Sequence, residues 1–177
     1  MEQLIMRWKN DNTTLKPFAL PDGVELKTIS DFENGVKVWL DIIKYMAQDV
    51  KELSYEYYEK TMPAYENFRE DLCHILMVDG APAATITVIC DPIKKEGYIH
   101  MVACKPEFRG RGLGNLLNDI ALSTLKKEKM QAAYLTTDDW RIPAIKTYLK
   151  VGFYPDTESE PDFKERWDEI YKVIKNQ

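Results

Sequence analysis

Three glycines alternate at positions 110, 112 and 114, in the segment Val102-Ala-Cys-Lys-Pro-Glu-Phe-Arg-Gly-Arg-Gly-Leu-Gly-Asn115, and no other stretch constrains the chain as strongly. Lacking a Cβ, glycines allow positive φ and let a ligand approach the main chain. The residues before the loop, Tyr98–Cys104, read as a strand. Those after it place Leu113, Leu116, Leu117, Ile120, Ala121 and Leu125 on one stripe of a helix. A strand that feeds a helix through such a turn points main-chain N–H groups outward at the positive end of the helix dipole, where an anion is favoured. Lys105, Arg109 and Arg111 face one acid, Glu107, a local positive excess in a chain of net charge −5 that suits a pyrophosphate. The competing reading is a plain glycine-rich turn, since short glycine motifs are weak evidence.

The elements around the loop predict an α/β (α+β) domain with a mixed, mostly antiparallel sheet flanked by helices. Leu4–Trp8 reads as a short edge strand, Asp11–Asp22 as a loop with Pro17 and Pro21, and Val24–Ile29 as a strand. Ser30 with Glu33 matches a capping box opening a helix that carries Val36, Trp39, Leu40, Ile43 and Ala47. Leu53–Glu59 reads as a second helix, ended by Pro63. Strands Leu72–Val78 and Thr85–Cys90 flank the hairpin signal Asp79-Gly80, and Tyr98–Cys104 follows the turn Asp91–Gly97. After the glycine loop and its helix come a strand, Ala132–Thr137, and a helix capped by Asp138 or Asp139 with Pro143 in its first turn and Gly152 at its stop. Phe153–Tyr154 begins a last strand, and a terminal amphipathic helix covers about 162–175. Length and the absence of an internal linker predict one domain over 1–177.

With 45% apolar and 30% charged residues, the composition is that of a soluble globular chain, and its acidic balance argues against nucleic acid as a partner. Cys73, Cys90 and Cys104 form no CxxC, and His74 and His100 have no zinc spacing, so neither a disulfide framework nor a metal is expected. The N-terminus lacks a secretory h-region, and the apolar stretches are too short to span a bilayer. The expectation is a cytoplasmic protein. A Rossmann site wants GxGxxG where this loop reads GxGxG; Asp138 mimics its ribose-binding acid, but no repeated βαβ unit surrounds the loop. A Walker loop is excluded by the absence of GKS or GKT.

The segment resembles motif A of the GNAT acetyltransferases, R/Q-x-x-G-x-G/A, through Arg109, Gly112 and Gly114 and the approach Cys104-Lys-Pro-Glu-Phe-Arg109. The stretch Ala144-Ile-Lys-Thr-Tyr148-Leu-Lys-Val-Gly152-Phe153 resembles their motif B, A-x-x-x-Y-x-x-x-G-F, in the same order and separation. The two span about 98–154. Leu20-Pro-Asp-Gly-Val-Glu-Leu is loosely similar to mycothiol-synthase-like members, whose substrate is not carried over. The resemblance implies a fold in which the strands ending near Cys104 and Thr137 splay apart. Acetyl-CoA would lie in that V, its arm on the backbone of Val102, Ala103 and Cys104. Its pyrophosphate would rest on Arg109, Gly110, Arg111, Gly112, Leu113, Gly114 and Asn115. Family members often carry an Asn seven residues before the tyrosine; Arg141 stands there. Dimers are common among relatives, so a homodimer is a further expectation.

In that family the amine attacks the thioester directly. A lysine-like amine of pKa about 10.4 spends roughly 4.6 kcal/mol to be neutral at pH 7, so a base is wanted. His100, on the strand leading to the cofactor, is the candidate base; Glu96 and Asp138 are weaker ones. A backbone amide near Cys104 would hold the oxyanion. Tyr148 is the candidate acid for the departing thiolate. Full transfer from a phenol near 10 to a thiol near 8.5 is uphill by roughly 2 kcal/mol, which favours a hydrogen bond. Tyr55, Tyr57, Tyr58 and Tyr65 fall where the family lines its acceptor pocket, and would clamp an alkylamine or serve as helix packing. Other classes are a CoA-binding sensor or interaction module without turnover, and a Cys–His hydrolase. The last is disfavoured because Cys104 and His100 on one strand lie about 13 Å apart.

Overall fold

The structure is a computed structural model that describes residues 2–11, 18–46 and 53–176. Pro17 of the expected loop and Ala47 of the expected helix stripe lie outside the described residues. Seven strands, β1 (Leu4–Lys9), β2 (Val24–Thr28), β3 (Cys73–Val78), β4 (Ala81–Asp91), β5 (Glu96–Cys104), β6 (Ala132–Thr137) and β7 (Tyr154–Pro155), form one sheet in the order β2-β3-β4-β5-β6-β1-β7. Only β5 and β6 pair in parallel, joined by the crossover helix α3 (Leu113–Lys127); the other neighbours are antiparallel. The mixed, mostly antiparallel sheet with flanking helices is therefore as expected.

The β3–β4 hairpin turns on Asp79 and Gly80 at φ 49 and 79, the left-handed pair a tight two-residue turn demands. On one sheet face lie α3 and α4 (Ile142–Lys150), where Leu113, Leu117, Ile120, Leu125 and Ile145 are buried against Leu4, Met6, Ile86 and Val88. Burial of each such side chain contributes about 1.5–3 kcal/mol. The other face is covered by α1 (Gly35–Ile43) and α2 (Tyr55–Thr61), where Trp39, Ile42, Ile43 and Tyr58 close over Cys73, Ile75 and Met77. The terminal helix α5 (Phe163–Lys175) buries Phe163, Trp167 and Ile170.

Three local expectations are corrected. Leu4–Lys9 is no edge strand, because β7 pairs outside it, Met6 with Pro155 and Arg7 with Tyr154. Ser30 does not open a helix: the capping box is Thr28–Asp31, with Asp31 Oδ2 accepting from Thr28 N (2.6 Å) and Oγ1 (2.9 Å), and α1 starts only at Gly35. Neither Asp138 nor Asp139 caps α4, whose N-cap is Arg141. Their carboxylates are taken by Arg141 (Nε to Asp138 Oδ2, 2.8 Å) and Arg166 (Nε to Asp139 Oδ2, 3.0 Å).

Two departures from ladder regularity position the site. Thr85 pairs with Ala103 but Thr87 with His100, so β5 carries one extra residue there, and Met101 sits at φ 53. A bulge of this kind bends its strand. The β5–β6 ladder ends at Ile99–Leu135, although β6 continues to Thr137. Past that pair the two strands part.

Candidate active site

Where β5 and β6 part, a cavity of about 500 Å³ opens. Its walls come from both sheet faces: Leu117, Asn118 and Tyr148 from the α3–α4 side, Met46, Tyr98 and His100 from the other. Of the cofactor-binding residues named from sequence and the two first-choice catalytic residues, only Arg111 does not line it. Thus His100, Val102, Ala103, Cys104, Arg109, Gly110, Gly112, Leu113, Gly114, Asn115, Arg141 and Tyr148 meet in one place. Glu96 and Asp138 do not line it, and Asp138 is held by Arg141 and by Gln3 Nε2 (3.0 Å).

The glycine loop has the properties an anion cradle needs. Gly110 and Gly112 adopt φ 77 and 79, and a Cβ built on either meets nothing within 4 Å. Arg109 N is bonded to Pro106 O, and Asn115 N to Gly112 O. Between them, the N–H groups of Gly110, Arg111, Gly112, Leu113 and Gly114 have no hydrogen-bond partner among the described residues. Five successive free donors at the start of a helix fifteen residues long are a fit for a diphosphate.

The cations behave differently from expectation. Lys105 is buried and paired with Asp41 on α1, and Arg111 lies over the Phe108 ring at 5.4 Å. Arg109 stays at the cavity with its Nε on Cys104 O (3.3 Å). Of the three, only Arg109 lines the cavity. Arg141 also lines it, held by Asp138 and stacked 4.6 Å over Trp140.

Tyr148 is buried with its ring edge-on to Phe153 at 6.2 Å. Burial pushes its phenol up to about 12, against a small opposing pull from Arg141. His100 is held at both nitrogens: Nε2 lies 3.1 Å from Thr61 O, and Nδ1 lies 3.2 Å from Tyr98 Oη. A carbonyl only accepts, so Nε2 carries the proton and Nδ1 accepts from the Tyr98 hydroxyl. Burial lowers the imidazole pKa below its ordinary value, partly offset by the Thr61 carbonyl. Cys104 is a poor nucleophile, its thiol pushed up by burial and directed at Lys105 O (3.5 Å).

Of the four tyrosines named from sequence, only Tyr65 reaches this region, its ring 4.9 Å from His100 and 5.6 Å from Tyr98. Tyr57 and Tyr58 pack on Trp39, and Tyr58 donates to Glu70, so they belong to helix packing. Tyr55 is exposed. Sequence reasoning missed Tyr98 and Tyr134, stacked at 4.7 Å beside His100. Their parallel register, Tyr98 opposite Tyr134, was the signal available once β5 and β6 were paired.

The sequence model of the acetyltransferase (GNAT) family matches residues 41–153. A mycothiol acetyltransferase of Tsukamurella paurometabola is 37% identical over 67 residues, which cover 38% of this chain and 23% of that protein. The match thus spans about a quarter of that curated relative's length. Among solved structures, the fold is similar to a GCN5-related N-acetyltransferase from Sphaerobacter thermophilus (TM-score 0.70, 16% identity, 88% of this chain and 50% of that one). It is also similar to the N-acetylglutamate synthase of Neisseria gonorrhoeae, solved with coenzyme A and N-acetyl-glutamate (TM-score 0.59, 16% identity, 88% and 34%). With motif, fold and a family match over residues 41–153 in agreement, this chain belongs to the acetyltransferase (GNAT) family.

Proposed function

We propose that the chain is an acetyl-CoA-dependent N-acetyltransferase that passes the acetyl group directly to an alkylamine, with no acyl-enzyme. One observation carries this reading: five successive unbonded N–H groups, four of them on cavity-lining residues, adjoin a cavity that also holds a buried phenol and a hydrogen-bonded imidazole. The bound thioester supplies the activated acetyl group. The amides of Gly110–Gly114 grip its diphosphate, helped by Arg109, with Arg141 at the rim. The backbone of Val102–Cys104, left unpaired by β6, takes the arm as an added strand would.

The amine reaches the thioester from the Tyr65–Tyr98–Tyr134 side, where aromatic walls suit an alkyl substituent. As the N–C bond forms, the amine's proton passes to Tyr98 Oη while the Tyr98 proton passes to His100 Nδ1. The imidazolium then holds two N–H groups, one still on Thr61 O. His100 therefore acts as base through Tyr98. With the Tyr148 phenol near 12 and a thiol near 8.5, complete proton transfer to sulfur is uphill by about 5 kcal/mol, so Tyr148 serves as hydrogen-bond donor to the departing thiolate.

The test is thiol release from acetyl-CoA across a panel of amines. The expected result is turnover with alkylamines and a loss of about a hundredfold in kcat for Tyr148→Phe, with coenzyme A affinity kept. Tight coenzyme A binding with no turnover on any amine would instead favour a non-catalytic binding module.

A further inference from the structure

Asn118 sits on α3 one helical turn beyond Gly114, and its side chain is buried (3% exposed). Three buried side-chain polar atoms lack a hydrogen-bond partner among the described residues: Trp39 Nε1, His74 Nδ1 and Asn118 Nδ2. Of these residues only Asn118 lines the cavity. An orphaned buried amide is destabilising to the fold that contains it. The neighbours of Asn118 one turn away on the same helix are Gly114, Asn115, Ala121 and Leu122, and towards the core the buried Ala121 and Leu122 are apolar, so a leucine would extend them. Packing therefore gives no reason for an amide at this position.

The helix rises 1.5 Å per residue, so Asn118 lies about 6 Å along α3 from the last free amide of the glycine loop. In an acyl carrier anchored by its diphosphate, the first secondary amide of the arm falls about this far down the chain. A primary amide offers one donor group and one acceptor, the complement of a secondary amide. We infer that Asn118 is a cofactor-binding residue that pairs with the arm amide nearest the diphosphate, and so sets the depth at which the thioester arrives at Tyr148. The inference rests on the coenzyme A reading given above.

The experiment compares coenzyme A with ADP, which carries the diphosphate but no arm, in the wild type and in Asn118→Leu, by calorimetric titration. The expected result is a roughly tenfold weaker Kd for coenzyme A, an unchanged Kd for ADP, and a melting temperature of the free protein no lower than wild type. Equal coenzyme A affinity in both proteins overturns the inference while leaving the cofactor reading intact. Equal weakening of ADP and coenzyme A also overturns it, since the loop rather than the arm is then affected. Failure of the wild type to bind coenzyme A sinks the cofactor reading itself. Should the leucine variant not fold, Asn118→Ala gives the same comparison with a smaller side chain, and the same outcomes decide.

Discussion

Gly112→Ala separates the glycine loop as a ligand cradle from the glycine loop as a mere turn. Gly112 is the N-cap of α3 at φ 79, ψ 3, in the left-handed region. An L-residue there costs about 1–2 kcal/mol, part of which is offset by the reduced freedom of the unfolded chain. No atom lies within 4 Å of the added methyl, so no clash adds to this. The net effect on the free protein is therefore about 1 kcal/mol, or roughly 2–4 °C in melting temperature for a chain of this length. Binding suffers more. The methyl fills open space beside the free amides, where the proposed diphosphate rests, and displacing one charge-assisted hydrogen bond removes about 1.5–3 kcal/mol. Coenzyme A affinity should drop by at least about tenfold. Calorimetric titration and a melting curve of the free variant give both numbers. Gly35→Ala is the contrast: its Cβ would stand 1.9 Å from Ile29 O, so it should destabilise the fold strongly from a position outside the cavity lining. A Gly112→Ala protein that melts a few degrees low yet binds coenzyme A as tightly as wild type would refute the cradle.

Three further outcomes follow from the histidines. Tyr98→Phe and His100→Gln should lower kcat by similar factors, and the double variant by little more than either, because both remove one relay. Since the imidazole pKa is lowered, the acid limb of kcat/KM in the wild type should lie below about 6.5, measured as initial rate against pH. His74 tests stability instead. Thr124 Oγ1 donates to Ile120 O, so His74 Nε2–H donates to Thr124 (3.0 Å) and the ring is neutral, with burial bringing its pKa down to about 4. The unfolded chain binds the proton more tightly, so stability is full above about pH 6.5 and falls by about 3 kcal/mol as pH drops to 4. His74→Gln should flatten that slope in urea titrations across this window; an unchanged slope would mean that other groups set it.

The parts of the fold that were legible in the sequence are those fixed by local chemistry. Asp79-Gly80 demanded its turn, the stripe from Leu113 to Leu125 demanded one buried helix face, and the glycines at 110 and 112 marked positive φ. What escaped depends on partners distant in sequence. Lys105 looked like a phosphate ligand until α1 brought Asp41 to it. Asp139 looked like a helix cap until α5 supplied Arg166. Leu4–Trp8 looked like an edge because the two-residue strand that covers β1 has no periodicity to read. The tyrosines at 55, 57 and 58 fall where the family resemblance implies an acceptor pocket, but Tyr57 and Tyr58 turn towards Trp39. Asn118 was invisible beside the apolar stripe of its helix, because its distinction lies in the partner it lacks.

The most direct measurement is an amide NMR titration of the ¹⁵N-labelled protein with coenzyme A. The Gly110, Arg111, Gly112, Leu113 and Gly114 signals should shift together and downfield with one common Kd, as each N–H gains an anionic acceptor. Saturable coenzyme A binding that leaves those five signals in place would contradict the account at its centre.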